Sequence, residues 1–126
     1  MNQQKLKNIF NLDSKERYGY LIRKTADFES IYLIADHVGS YVTIGDKNEI
    51  CIPVWPESDF ANFMVKELWP GYGTKKMNIY EFIDWQDELS DQKIYIAGFP
   101  DNNLNSVIVS PGEIKNHLIY ECSKYE

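Results

Sequence analysis

The feature that most constrains the fold is an apolar run with one proline inside it and another at its end, Cys51-Ile52-Pro53-Val54-Trp55-Pro56. Its β-branched and aromatic residues favour a strand. Because proline has no N–H to donate to a neighbouring strand, Pro53 is expected at a strand end or on a sheet edge. The run therefore predicts a strand that stops where Pro56 begins the next element.

Two other β-type runs precede this one, and short turns separate the three. The runs cover Ile31–Asp36, Tyr41–Ile44 and Glu49–Trp55. The turns Asp36–Gly39 and Gly45–Asn48 are rich in turn-forming residues. Together these segments predict a three-stranded antiparallel meander.

Apolar periodicity and capping residues predict helices in the rest of the chain. Two late runs, Lys93–Phe99 and Ser106–Val109, predict a hairpin instead. The helices are expected around Leu6, Ile9 and Phe10, from Asp13 onward, from Pro56 to about Leu68, from Asn78 to about Leu89, and from Ser110 onward.

The resulting order, ααβββααββα, groups strands and helices in blocks. Such blocks indicate an α+β domain with a mainly antiparallel sheet, here of about five strands with helices mostly on one face. A hydrophobic fraction of 44% can build the core of a domain of 126 residues. We therefore expect one domain over residues 1–126.

The first residues and the cysteines bear on the compartment. No apolar run follows the basic residues near the N-terminus, and none elsewhere is long enough to cross a membrane. Cys51 and Cys122 do not have the spacing of a disulfide framework or a metal site. We expect a cytoplasmic protein with two buried, reduced thiols and no membrane partner.

The net charge of −6 is unevenly distributed along the chain. Acidic and basic residues balance over residues 1–76, so the whole excess lies in residues 77–126. Nucleic acid is not an expected partner, because its binding needs a basic face. A basic protein partner fits this distribution, and so does an ordinary solvated acidic surface.

The sequence lacks the common catalytic motifs. It contains no P-loop, no dinucleotide fingerprint and no Gly-x-Ser-x-Gly elbow. His37 falls in a turn and His117 on the last helix, with no local spacing that predicts a metal site. We therefore expect no cofactor, no metal and no catalytic residue, and an enzyme is the less favoured hypothesis.

Aromatic residues at turns are the first set of candidate binding residues. Trp55 lies between two prolines, while Trp69 and Tyr72 flank the Pro70-Gly71 break. Rigid aromatic side chains often anchor binding sites. Alternatively, Trp55 and Trp69 pack together and close one helix onto the sheet. Glu57 and Arg23 complete this candidate set, although Arg23 also has the i,i+4 spacing to pair with Asp27.

Carboxylates on the fourth predicted helix are the second candidate set. Their spacings of three, four and three residues place them on one side of the helix, opposite its apolar stripe. Such a row can bind a cationic protein surface or can merely solubilise the helix. We call the set the acidic face, and it consists of Glu81, Asp84, Glu88 and Asp91.

Several pieces of the chain form an ordered set of motifs that covers nearly its whole length. They are Glu16-Arg17-Tyr18-x-Tyr20-x-x-Arg23-Lys24 with Asp27, Ile52–Pro56 with Phe60-Ala61, Trp69-x-Gly71-Tyr72, Glu81-Phe82, Ala97-x-Phe99-Pro100 and Ser110-Pro111. This set resembles the bacterial domain-of-unknown-function family 2750, which implies a compact one-domain bacterial protein and no known activity. The arrangement of strand, Ile-Pro-Val-Trp and helix is also similar to the N-terminal domain of SseB-like proteins, which are associated with protein interaction and toxin immunity.

Three hypotheses about function follow. The leading one is a non-catalytic protein-interaction domain, regulatory or immunity-like. The alternative is a small-ligand or enzymatic pocket between the sheet and the Pro56–Tyr72 segment, lined by Trp55, Trp69, Tyr72 and Arg23, with Glu57 or Arg23 at its floor. The third is that the aromatic surface joins two copies of the chain, so both a monomer and a homodimer remain open.

Overall fold

The fold is known from a computed structural model that describes residues 1–125. Five helices and six strands occur in these residues, and they confirm the α+β class. In chain order they are α1 (Gln3–Phe10), α2 (Ser14–Phe28), β1 (Ser30–Ala35), β2 (Ile44–Asp46), β3 (Glu49–Val54), α3 (Ser58–Leu68), β4 (Gly73–Asn78), α4 (Ile79–Asp91), β5 (Tyr95–Gly98), β6 (Val107–Val109) and α5 (Pro111–Ser123).

The strand that contains Pro53 lies inside a four-stranded sheet of order β2-β3-β5-β6. It pairs with β2 in antiparallel fashion only up to Cys51, and in parallel with β5 from Cys51 to Val54. Since backbone groups alternate sides along a strand, the nitrogen of Pro53 faces the side opposite β5. β2 has already ended there, so Pro53 sits at a local gap and no ladder hydrogen bond is lost.

A strand that the sequence did not predict, β4, forms a second sheet with β1. All six residues of β1 pair with β4 in antiparallel register, from Ser30 opposite Asn78 to Ala35 opposite Gly73. β4 reads Gly-Thr-Lys-Lys-Met-Asn, a composition poor in strand-forming residues, and only Met77 is buried. Pairing with the apolar β1 therefore outweighs local preference, and the element order becomes ααβββαβαββα.

The predicted meander does not form as one continuous sheet. Tyr41 makes a single bridge to Ala35 and precedes a short β2, so β1 and β2 share no ladder. β1 instead contacts the end of β3, where Tyr32 and Trp55 exchange two backbone hydrogen bonds of 2.9 Å. This exchange joins the two-stranded and four-stranded sheets next to the start of α3.

One hydrophobic core connects the helices and both sheets. Ile52, Val54, Ile96 and Ala97 are all buried, although adjacent residues of a strand point to opposite faces. Both faces of the sheet are therefore covered at β3 and β5. No helix within residues 1–125 is long and apolar enough to cross a bilayer.

The last helix begins with the capping box predicted from Ser110-Pro111-Gly112-Glu113. Ser110 Oγ accepts from Glu113 N at 3.2 Å, and Glu113 Oε1 accepts from Ser110 N at 3.0 Å. The hydrogen bond from Ser110, together with a smaller effect of His117, lowers the pKa of Glu113 below its ordinary value of 4.5. The carboxylate form is therefore the one that the folded chain stabilises.

This capping box predicts a pH-dependent difference between the wild type and the Glu113→Gln variant. A depressed pKa contributes stability that is fully present above the ordinary value and is lost as the pH falls through the lowered one. We expect the wild type to be more stable at pH 7 and the difference to shrink below about pH 4.5. Urea unfolding between pH 7 and 3 measures it; a difference that is constant with pH would contradict a role for the ionised carboxylate.

Candidate functional site

Trp55 lies in the core and not on a binding surface. It is fully buried, and its indole Nε1 donates to the carbonyl oxygen of Pro100 at 3.1 Å. Its ring makes an edge contact with Trp69, with centroids 6.4 Å apart. This is the geometry of the packing alternative: the two indoles hold the two ends of α3 against the sheet.

The loop that receives the indole hydrogen bond has an unusual backbone. It follows β5, and both Phe99 and Leu104 have φ near +62°, in the left-handed region that non-glycine residues rarely adopt. Asp101 Oδ1 accepts from the N–H groups of Asn103 and Asn105 at 3.0 and 2.9 Å. We call residues 99–105 the β5–β6 loop.

Arg17 of α2 holds this loop from the inside. Its side chain is nearly completely buried, with 2% of the residue exposed. A guanidinium group has five N–H donors, and here they meet five acceptors. The acceptors are the carbonyl oxygens of Phe10, Leu12, Phe99 and Asn105 and the hydroxyl of Ser14.

The predicted aromatic pocket does not come together. Trp69 is half-buried against Trp55, while Tyr72 is 38% exposed beyond the end of α3. Arg23 is exposed on α2, in a depression of about 330 Å³ that also contains Tyr18 and His117. The depression is lined by none of the other candidates, and Arg23 makes no ion pair with Asp27 in the part of the chain that the structure describes.

Glu57, another member of that set, lines a large cleft. The cleft has a volume of about 570 Å³ and lies between the β1–β4 sheet and the start of α3. Glu57 Oε2 accepts from the hydroxyl of Tyr20 at 3.2 Å. Burial and the charge of Glu57 raise the pKa of Tyr20 to about 12, so the hydroxyl stays protonated. We call this cavity the β1–α3 cleft.

All four residues of the acidic face are exposed on α4, and none forms an ion pair within residues 1–125. The neighbouring Asp87 does pair, with Lys115 of α5 at 3.0 Å. Trp85 borders the acidic face on one side and contacts Tyr41, with ring centroids 5.4 Å apart. The acidic face is therefore a row of carboxylates open to solvent.

An apolar groove runs beside the acidic face, between α4 and α5. Its volume is about 340 Å³, and Tyr80, Ile119 and Tyr125 are exposed along it. On α4 the groove is lined by Tyr80 and Ile83, which lie on the side of the helix next to the carboxylates. We call it the α4–α5 groove; it is lined by Ala26, Glu29, Tyr80, Ile83, Ile119, Cys122 and Tyr125.

The histidines and cysteines are placed as follows. His117 Nδ1 lies 2.6 Å from the hydroxyl of Tyr18, whose pKa is raised mainly by burial. Cys51 is buried, which raises the pKa of its thiol, whereas Cys122 is half-buried. Residues 1–125 contain no group of three or more histidine, cysteine, aspartate or glutamate side chains that could hold a metal ion.

Several of these residues were not among the sequence candidates. Ser30 and Lys76 reach the β1–α3 cleft because β1 pairs with β4, which local sequence patterns do not predict. Tyr80 and Ile119 could have been found, because both stand apart from the apolar stripes of their helices. Arg17 carried only one signal, its place in the Glu16-Arg17-Tyr18 piece.

Comparisons with known proteins agree with the family resemblance. A family model described as "Protein of unknown function (DUF2750)" matches residues 18–118. No curated protein matches the chain. No solved structure matches it either. The match covers well over half of the 126 residues and includes β3, the β5–β6 loop and most of α5. The chain therefore belongs to the DUF2750 family.

Proposed function

We propose that this protein is a non-catalytic protein-interaction domain that binds a basic partner through the acidic face and the adjoining α4–α5 groove. The observation that carries the proposal is that two surfaces adjoin: four exposed carboxylates with no cationic partner among the described residues, and an exposed apolar groove. Protein interfaces commonly combine an apolar centre with a charged rim. Here the groove would form the apolar centre and the acidic face would form the charged rim.

Charge complementarity defines the partner. The groove would bury apolar side chains of the partner against Ile119 and Tyr125, while lysine or arginine residues meet the carboxylates on α4. An amphipathic helix with one apolar stripe and basic flanks has this pattern, and helix-in-groove binding is a common mode of recognition. The partner we propose is therefore a basic amphipathic helical segment.

The acidic face would act mainly on the rate of association. Exposed charges steer an oppositely charged partner over distances near the Debye length, which is about 8–10 Å at physiological salt. The groove would set how long the complex lasts, because burial of apolar area governs dissociation more than encounter. Salt should therefore slow association more than it accelerates dissociation.

A binding measurement with matched charge variants tests the proposal. The probe is a fluorescent synthetic helix of leucine and lysine in amphipathic order, and anisotropy gives its Kd. Neutralising three acidic-face residues, Glu81→Gln, Asp84→Asn and Glu88→Gln, should weaken binding about tenfold or more. Ile119→Asp in the groove should weaken it comparably, because it places a charge in the apolar contact.

The control neutralises three exposed acids elsewhere, Asp27→Asn, Glu49→Gln and Glu67→Gln, and so changes the net charge equally. It should alter Kd by less than about twofold, since these residues lie outside the proposed interface. If both triple variants weakened binding equally, the effect would be explained by the net charge of the protein and not by the acidic face. Tight binding of a peptide with the same composition in scrambled order would also contradict the groove.

The proposal also concerns the cellular compartment and the oligomeric state of the protein. A regulatory or immunity-like role accords with the similarity to SseB-like proteins, and a bacterial cytoplasm accords with the free thiol of Cys51, since reducing compartments preserve thiols. Homodimerisation through the groove is the competing use of this surface. A sedimentation experiment at tens of micromolar that showed a dimer dissociated by Ile119→Asp would replace the proposal with self-association.

A further inference from the structure

The floor of the β1–α3 cleft is one face of the β1–β4 sheet. Ser30 and Tyr32 are two residues apart on β1, and Lys76 is the register partner of Tyr32 on β4. Residues two apart on a strand, and residues directly opposite across a pair, project to the same face. All three line the cleft. The alternate residues Ile31 and Leu33 point to the other side, into the core.

Ser30 is a polar group on this floor without a protein partner. Only 4% of the residue is exposed, and its hydroxyl makes no hydrogen bond to any residue in the range 1–125. Its oxygen is not among the enclosed side-chain atoms that lack a partner, so the hydroxyl opens into the cleft and is free to donate to a bound group there.

The start of α3 forms the opposite wall. Glu57 is its N-cap residue, but the side chain makes no capping hydrogen bond and turns to Tyr20 instead. The first helical hydrogen bond runs from Ala61 N to Glu57 O at 3.4 Å. The N–H groups of Ser58, Asp59 and Phe60 therefore remain without acceptors among the described residues. A helix start of this kind favours an anion.

The charged groups around the cleft also favour an anion. Lys5 of α1 and Lys76 of β4 line it, and neither has a carboxylate within ion-pair distance in residues 1–125. Of the two carboxylates present, Glu57 accepts from Tyr20, and Asp59 lies 3.0 Å from the amino group of Met1. Asp59 is thus neutralised by an ion pair, and Glu57 keeps its charge but is turned toward a neutral hydroxyl. The two lysines have no carboxylate partner within residues 1–125.

We infer that the β1–α3 cleft binds the oxyanion group, phosphate or carboxylate, of a small molecule. The N–H groups of α3 would donate to the anion from one side, with Ser30 and Lys76 donating from the sheet. Phe28, Tyr32 and Pro56 supply apolar walls for the remainder of the molecule. A volume of about 570 Å³ is within the range of small-molecule sites.

The experiment is an NMR titration of the full chain with inorganic phosphate at constant ionic strength, followed through the backbone amides. We expect saturable shifts at Ser30 and Ser58–Phe60, with phenyl phosphate binding more tightly than phosphate because of the apolar walls. Acetate and benzoate form the second arm. Tighter binding in that arm would identify the carboxylate as the preferred oxyanion, which supports the site equally.

Variants distinguish binding of the anion in this cleft from nonspecific electrostatic attraction of anions to the protein. Lys76→Gln should raise Kd about tenfold, as loss of a charge-assisted hydrogen bond does, and Ser30→Ala should raise it severalfold. Lys66→Gln is the matched control, because Lys66 lies in the last turn of α3, about 12 Å along the axis from Ser58.

Two results would overturn the inference. One is a shift of the Ser58–Phe60 amides no larger or more saturable than that of the amides around Lys66. The other is equal weakening by Lys76→Gln and Lys66→Gln, which would show only screening of net charge. These outcomes do not bear on the acidic face, which lies on α4, so the two proposals can fail separately.

Discussion

The Arg17→Ala variant should lose at least about 3 kcal/mol of its free energy of unfolding, among the largest effects of any single substitution in this chain. The change removes all five donors at once. It removes a donor from four backbone carbonyls, those of Phe10 and Leu12 before α2 and of Phe99 and Asn105 in the β5–β6 loop. Of these, the Asn105 carbonyl keeps a second donor, the N–H of Asp101 at 3.2 Å. Each unsatisfied buried acceptor costs about 1–3 kcal/mol.

Urea unfolding followed by tryptophan fluorescence measures this loss as a lower midpoint with an unchanged slope. Arg17→Lys should recover only part of it, since an ammonium group has three donors and no planar fork. Lys15→Ala is the matched control, because Lys15 is exposed on the same helix. A loss below about 1 kcal/mol for Arg17→Ala would show that water replaces the guanidinium without penalty.

The Trp55→Ala variant should be destabilised by about 3–5 kcal/mol, the range for deletion of a large buried aromatic side chain. The substitution leaves a cavity between α3 and the sheet, removes the edge contact with Trp69 and leaves the Pro100 carbonyl without its donor. Trp55→Phe should cost less, because a ring still fills most of the space while the N–H donor is lost.

Tyr72→Ala tests the same set of candidate residues without the core penalty. Tyr72 is partly exposed, and its removal should change stability by no more than about 0.5 kcal/mol. Thermal or urea unfolding of both variants compares them directly; similar losses would contradict the different placement of the two rings. A binding defect of Trp55→Ala is therefore not evidence of a contact, whereas a defect of Tyr72→Ala would be.

The helices could be predicted from the sequence because their signals are local. Asp13, Asn78 and Ser110 accept hydrogen bonds from the first turns of the helices that they precede, as their spacing indicated. The β5–β6 hairpin pairs as expected. Capping and helical periodicity depend on residues three or four apart, so no distant part of the chain is needed to specify them.

The strand partners could not be predicted in the same way. β4 has little strand preference of its own and forms because β1 offers it six residues to pair with. β3 and β5 are parallel neighbours although α3, β4 and α4 lie between them in the chain. Such pairings depend on which surfaces the core brings together, and the value of a strand residue depends on that context.

The run from Cys51 to Pro56 shows which features local sequence specifies and which depend on tertiary contacts. The sequence by itself determined that it is a strand and that a helix follows. It placed Pro53 at a strand end or a sheet edge, whereas β3 is an inner strand of the four-stranded sheet and β2 stops before Pro53. It also determined the acidic face, because four carboxylates on one side of a helix follow from helical geometry alone.

Only the tertiary structure decided that Trp55 is buried, that Arg17 holds the β5–β6 loop, and that Ser30 and Lys76 face α3 across a cleft. Each of these facts depends on contacts between residues far apart in the chain. Burial and pairing are properties of the assembled core, whereas periodicity and capping are properties of a single turn.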